Sequence, residues 1–294
     1  MVSAASLPAM GRVRDYVDLT KPRLLPLVLF TSLPVMGMAT GGWPPLSFAF
    51  PTLVGIGLAA ASANTLNAYL ERELDGRMER TRGRPLPSGK LAPRSALIFG
   101  WLLGIASTVL LWVVADLTTA GVAVASILYY VFVYTIWLKP RSAWNVVVGG
   151  AAGAAAPLIA DVAVNGSLGV PGLLLFAIVF FWQPPHVWAI TLYRKADYEA
   201  AGIPMLPNVI GDEATRRWVL VCTFGLVPVT LAPGLLGLLG SAYMIVAVAM
   251  NAWFVMSSIQ LAKQRTDDAA RRMFHVSLVY LSSICIAMLI DLAV

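Results

Sequence analysis

The stretch NAYLERELDGRMERTRGRPL, residues 67–86, holds four carboxylates and five arginines. Asn67, Glu71 and Asp75 follow one another at four-residue intervals. On a helix this spacing places them on one face, about 6 Å apart and drifting by about 40° per step. Asn64 extends the row by one turn, and Gly83 and Pro85 end any helix that follows it. A second polar stretch, WQPPHVWAITLYRKADYEAAGIPMLP, offers His186, Tyr193, Arg194, Lys195, Asp197, Tyr198 and Glu199. Two carboxylate sites flanked by cations suit a diphosphate. Mg²⁺ prefers hard oxygen ligands and is usually held by one or two carboxylates together with substrate phosphates. Arginine contributes bidentate phosphate contacts. Such a clamp neutralises charge that grows on a departing diphosphate.

Plainer readings compete. Interfacial Arg and Lys serve as topology determinants and lipid-headgroup anchors, with acids balancing their charge. Carboxylates and a histidine inside a membrane also suit a proton relay in a transporter. A solvated face, however, does not require the ordered Asn67, Glu71, Asp75 row. His275 has no polar company and reads as structural. Asp116 and Asp161 read as helix-end residues, and Trp101, Trp137 and Trp218 as interfacial anchors.

The elements that must carry these residues are membrane helices. Charged residues make up 12% of the chain and apolar ones 59%, with a mean hydropathy of +0.77. A soluble domain carries about 25% charged residues, and the apolar content is too high for disorder. Nine segments reach spanning length, about 20 mostly apolar residues: 24–41, 47–70, 94–114, 118–138, 143–162, 170–193, 217–238, 241–261 and 273–293. The connectors 40–46, 115–118, 163–169 and 239–241 contain no Lys or Arg, and the alternate set carries all 21. Positive residues stay on the cytoplasmic side. The expectation is an all-α polytopic membrane protein with nine spans, its N-terminus cytoplasmic and its C-terminus outside. Both polar stretches then lie at the cytoplasmic ends of spans. Four spans separate them, and their shared pattern of a descending span, carboxylates and a Gly/Pro loop suggests a parallel internal repeat of weak sequence identity. Residues 1–20 show no cleavable signal pattern. Cys222 and Cys285 lie in apolar runs and read as packing residues, without Cys/His metal spacing.

At these residues the chain resembles the UbiA-type intramembrane prenyltransferases, and within them the haem-farnesylating (haem O synthase) branch. DYVDLTKPRLLPLVLFTSLPVMGMA is similar to the family's N-terminal motif around Thr20, Lys21, Pro22 and Arg23. The 67–86 stretch resembles its first acidic motif, an Asn followed by acids at +4 and +8. YTIWLKPRSAWNVVVGGAAGAAAPLI resembles the segment joining the fourth and fifth spans. The Trp-Gln-Pro-Pro-His and Ala-Gly-Ile-Pro-Met-Leu-Pro runs are similar to the haem branch rather than to quinone or chlorophyll prenyltransferases. Two features depart from the family pattern. Glu71 and Glu73 stand where Asp is common, and the second site lacks a DxxxD spacing.

The resemblance implies one transmembrane prenyltransferase domain over residues 1–294, with motif-bearing loops at about 71–93 and 194–216. Its helices would surround a central cavity facing the cytoplasm. Farnesyl diphosphate and haem B would be the substrates, and haem O and diphosphate the products. It implies Asn67, Glu71, Asp75 and Asp197 as the Mg²⁺ set. Arg77, Arg80, Arg84, Lys195, Tyr193 and Lys21 would contact diphosphate. His186 would contact haem as an iron ligand, as a propionate partner or as a base toward the added water. The site would lie in a bacterial inner membrane, with haem A synthase or terminal-oxidase assembly proteins as partners and no nucleic acid. The alternatives are a quinone-precursor prenyltransferase, a secondary transporter with intramembrane acids, and a non-catalytic haem-handling factor.

Overall fold

A computed structural model describes residues 12–293, all of whose regular structure is helical. The reading of residues 1–11 as lacking a cleavable signal lies outside the described residues. A short α1 (Val13–Leu19) leads to α2 (Leu25–Thr40), which ends on Gly41 in the left-handed conformation. Then follow α3 (Leu46–Leu70), α4 (Arg72–Arg77), α5 (Pro93–Val114) and α6 (Leu117–Leu128). The last of these runs on into a π-helical segment, Tyr129–Leu138. The next span is broken at Ala154 into α7 (Asn145–Gly153) and α8 (Ala155–Asn165). It is followed by α9 (Val170–Tyr193), α10 (Lys195–Ala200), α11 (Leu206–Ile210), α12 (Asp212–Leu235), α13 (Ser241–Gln264) and α14 (Asp267–Asp291).

Among the described residues, eight helical segments are long and apolar enough to cross a membrane, and Leu25–Thr40 is a shorter apolar helix. Their outward faces are oily. On α5, Ile98, Trp101, Leu102, Ile105, Val109, Trp112 and Val113 recur at helical spacing and are exposed. That stripe suits lipid contact. Two of the expected spans start earlier than the hydropathy suggested. The helix expected over 217–238 begins at Asp212, and that expected over 273–293 begins at Asp267, where the Thr266 hydroxyl accepts from Ala269 N. Their first turns carry Asp212, Glu213, Asp267 and Asp268, as the positive end of a helix dipole favours.

Between apolar helices no hydrophobic force remains once both sit in lipid, so close packing and hydrogen bonds join them. Along α3 and α5, Ser62 Oγ donates to the Gly100 carbonyl (2.8 Å) and Ser107 Oγ to the Gly55 carbonyl (2.7 Å). In the C-terminal half, Thr230 of α12, Asn251 of α13 and Tyr280 of α14 form a buried polar knot. Tyr280 OH donates to Asn251 Oδ1 (2.9 Å), and Asn251 Nδ2 donates to Thr230 Oγ1 (2.9 Å). Such a satisfied network fixes the mutual register of three otherwise slippery helices.

The other positioning device is the α7–α8 break. Its glycines let two neighbouring side chains come close. A Cβ on Gly153 would lie 2.6 Å from Gln183 Nε2, and one on Gly149 would collide with the Tyr134 ring. Gln183 uses this space to donate to the Gly150 carbonyl (3.0 Å).

Candidate active site

A cavity of about 430 Å³ opens among α2, α3, the π-helical segment, α7, α8 and α9. Its upper part is apolar and lined by small side chains, among them Ala59, Ala60, Ala63, Ala152, Ala155 and Ala156, with Ile56 and Ile159. Its lower part is charged and takes in Lys21, Asn67, Glu71, Asp75, Arg80, Arg84 and Lys139.

The acidic row survives a change of helix. Glu71 stands at the junction of α3 and α4, yet its N–H donates to the Asn67 carbonyl (2.9 Å) and Asp75 N donates to the Glu71 carbonyl (2.7 Å). The four-residue stagger therefore continues, and Asn67, Glu71 and Asp75 stay on one face. All three are buried, and each has a partner. Asn67 Oδ1 accepts from Lys21 Nζ (2.7 Å), while its Nδ2 donates to Thr135 Oγ1 (3.1 Å). Glu71 forms an ion pair with Lys139 (2.5 Å). Arg84 Nη1 donates to Asp75 Oδ2 (2.8 Å). Arg80 lines the cavity and is exposed, whereas Arg77, also exposed, is not among the lining residues.

Two cations reach this site by unusual backbone. Lys21 has φ +54°, in the left-handed region that a residue with a Cβ enters at a cost of about 1–2 kcal/mol. Such strain collects at functional positions. Loss of water around its ammonium pulls the pKa down to about 8; Glu71 opposes this, and Lys139 and Arg84 add to it. Lys139 follows the π-helical segment, and its N–H reaches back five residues to the Tyr134 carbonyl (2.9 Å). Burial disfavours its charge, but Tyr134 and Glu71 outweigh that and hold its pKa above the usual lysine value. π-helical turns widen a helix and recur at functional sites. Here the widened segment brings Tyr130, Tyr134 and Lys139 to the cavity wall, a set the sequence reading did not pick out.

The second polar stretch is divided. His186 and Tyr198 line the cavity. Asp197, Lys195 and Tyr193 are not among the lining residues. Lys195 Nζ donates to Asp212 Oδ1 (3.1 Å), Asp197 lies 3.8 Å from Arg194, and Tyr193 packs under the guanidinium of Arg271. Asp197 Oδ2 is sheltered from solvent and makes no hydrogen bond among the described residues. His186 follows Pro184 and Pro185, which remove two backbone donors from α9 beside the cavity. Its ring stacks on Trp182 at 4.3 Å, lies 4.9 Å from Phe274, and bonds Ser277 through Nδ1 (2.7 Å). His275 is exposed on α14, and Asp161 is buried in α8, where its carboxylate accepts from Gly169 N.

No three His, Cys, Asp or Glu side chains converge as a metal cage among the described residues. The donors that do converge are two buried carboxylates, Glu71 and Asp75, and one amide oxygen, that of Asn67. Mg²⁺ is usually held by one or two carboxylates and completed by phosphate and water oxygens. The donor set fits that ion. The cations beside it fit the phosphates.

The UbiA prenyltransferase family model matches residues 28–284. The protoheme IX farnesyltransferase of Symbiobacterium thermophilum is 43% identical over 95% of this chain and 94% of its own length. That of Parvibaculum lavamentivorans is 40% identical, covering 96% and 90% respectively. The fold matches a digeranylgeranylglyceryl phosphate synthase with a TM-score of 0.79 at 17% identity, over 95% of this chain and 98% of that one. It also matches a UbiA homologue from Archaeoglobus fulgidus bound to DMAPP and Mg²⁺, with a TM-score of 0.63 at 15% identity, over 94% and 99%. The chain belongs to the UbiA prenyltransferase family.

Proposed function

We propose that this integral membrane prenyltransferase transfers the farnesyl group of farnesyl diphosphate to the vinyl group of haem B, with addition of water. The products are haem O and diphosphate. The observation that carries this reading is 40–43% identity, along nearly the whole chain, to proteins named protoheme IX farnesyltransferase. The cavity supports it, because one end is charged and the other is apolar.

In this reading residues 1–294 form one domain and Leu25–Thr40 is its ninth crossing, about 24 Å long at 1.5 Å per residue. That is short for a hydrocarbon core of about 30 Å. The charge partition puts the N-terminus and the charged end of the cavity on the cytoplasmic side of a bacterial inner membrane, and the C-terminus outside.

In this reading the diphosphate meets Arg80, and Arg84, Lys21 and Lys139 exchange their present partners for phosphate oxygens. Asn67, Glu71 and Asp75 would hold Mg²⁺, joined by Asp197, whose Oδ2 faces Arg194 at 3.8 Å without a hydrogen bond and could turn to a metal ion. Mg²⁺ supplies charge neutralisation for the leaving group. Arg77, Lys195 and Tyr193 do not line the cavity; Lys195 would join the phosphate shell if the 194–216 stretch moves inward, and Arg77 and Tyr193 if the ends of α4 and α9 shift with it. The C1–oxygen bond of the farnesyl chain breaks, and diphosphate leaves with the electron pair. The vinyl π electrons of haem B form the new carbon–carbon bond. Water adds to the resulting carbocation and loses a proton. The alanine-lined part of the cavity shelters the farnesyl chain and keeps bulk water from the allylic centre. His186, at the same wall, contacts haem B. The product would pass to haem A synthase or terminal-oxidase assembly proteins.

The test is to incubate membranes holding the protein with haem B, farnesyl diphosphate and Mg²⁺, and to weigh the extracted haems. Farnesylated, hydrated haem that disappears on chelation supports the reading. Prenylation of a small aromatic acid in preference to haem B would assign the chain to quinone-precursor chemistry. Intact farnesyl diphosphate throughout would return the charges to topology or transport.

A further inference from the structure

The hydroxyl of Ser277 on α14 has two close partners and one proton. It lies 2.6 Å from the Phe274 carbonyl and 2.7 Å from His186 Nδ1. A carbonyl only accepts, so a hydrogen bond to Phe274 uses the hydroxyl proton. Both contacts are hydrogen bonds only if His186 Nδ1 carries a proton and donates it to Ser277 Oγ. Ser277 is fully buried, so no water competes for either contact. The same residue also fixes the neighbouring indole, because Trp182 Nε1 donates to the Ser277 carbonyl (2.7 Å). The His186 ring is thus tied through Nδ1 and covered by Trp182 and Phe274. What remains open to the cavity is an edge of the ring, and Nε2 has no hydrogen-bond partner among the described residues.

We infer that Ser277 is a positioning residue that holds His186 as the Nδ1–H tautomer, so that its Nε2 lone pair faces the cavity as a nitrogen ligand for haem iron. The ligand role rests on the haem reading above; the tautomer does not. Metal-binding histidines regularly donate their second ring N–H to an acceptor that sets tautomer and ring orientation. The Phe274 carbonyl, the Ser277 hydroxyl and the His186 imidazole form that chain here. An in-plane approach to Nε2 is how an imidazole meets an iron centre. The covered ring faces leave the edge as the direction of approach.

The test begins without substrate. The chain has two histidines, so ¹⁵N-histidine-labelled protein in lipid nanodiscs gives two sets of ring signals, and a His275→Gln variant assigns them. His186 is expected to show a protonated Nδ1 and an unprotonated Nε2 in the wild-type protein, and to lose that preference in Ser277→Ala. A protonated Nε2 in the wild type, or an unchanged tautomer in Ser277→Ala, would overturn the inference. The wild-type spectrum decides the tautomer even if the variant does not fold. Ferric haem B is then titrated in the absence of prenyl diphosphate. The absorption spectrum of nitrogen-ligated haem should be absent in His186→Ala, and Ser277→Ala should bind about 10–100-fold more weakly. A haem spectrum indifferent to His186→Ala would overturn the ligand role. Tautomer and ligation as expected, but no haem O formed, would support this inference and overturn the farnesylation reading.

Discussion

Two charged stretches, residues 67–86 and 193–216, read alike as sequence and behave differently in the fold. In the first, consecutive side chains of one helical face converge on a cavity, and each acid or amide already has a partner to give up. In the second, Tyr198 reaches the cavity wall while Lys195 pairs with Asp212 and Asp197 stands beside Arg194. Burial separates them. The side chains of Glu71 and Asp75 are 8% and 3% exposed, against 40% for Lys195 and 21% for Asp197. A buried, tightly paired carboxylate keeps its geometry, while a less buried one held only at 3.8 Å is freer to change partners. The contrast predicts a preformed acidic site and a second stretch whose contribution depends on substrate.

The sharpest way to break that contrast is to neutralise an acid on each side. Asp75→Asn and Glu71→Gln should each lower kcat/KM by about 10²–10³-fold, the scale of losing an electrostatic group at a developing charge. Asp197→Asn should cost about 10-fold, mostly in KM for farnesyl diphosphate. Steady-state kinetics on folded protein decides this, and equal losses at Asp75 and Asp197 would erase the distinction. Stability offers a second comparison. Lys139→Ala strands the buried Glu71 carboxylate and should destabilise the protein by about 3 kcal/mol. Lys195→Ala breaks a half-exposed pair and should cost about 0–1 kcal/mol. Thermal unfolding in one detergent ranks the two.

The smallest effect expected is one of pH. The folded-state pKa of Lys21 is about 8, below the ordinary lysine value near 10.4. The unfolded chain therefore binds more protons between those values. Folding stability should rise with pH across that window, and the cost of burying the charged ammonium is present in full below it. If the diphosphate uses this ammonium, as proposed, KM for farnesyl diphosphate should climb a few-fold above about pH 8. Lys21→Gln should raise KM at every pH and flatten the profile.

Much of this was legible in the sequence, for reasons that differ by residue. Hydropathy marks where chain enters lipid, so 170–193 matches α9 and 47–70 nearly matches α3. It misplaced the starts of α12 and α14 because a charged helical turn and a loop look alike to it, although Thr266 is a readable cap. The Asn67, Glu71, Asp75 row was visible because a helix makes it local. Lys139 as the partner of Glu71 was not, since the two are far apart in the chain. Lys21 and Asn67, 46 residues apart, meet only through packing. Nothing in YYVFVYTIWL announces a π-helix: it contains no Gly or Pro, and the widening appears where the segment packs around the cavity. Ser277 was silent for the same reason, 91 residues from the histidine it holds.

In the proposed reading the prenyl diphosphate binds in the cavity over the 67–86 cluster. A farnesyl diphosphate analogue with a photoreactive group on its distal isoprene unit tests it most directly. After irradiation in membranes and peptide mass analysis, the label should fall on the cavity walls around Ala59–Ala63 and Ala152–Ile159. Excess farnesyl diphosphate should compete it away, and Asp75→Asn should weaken it. Label on the lipid-facing stripe of α5, or label indifferent to competitor, would contradict the assignment.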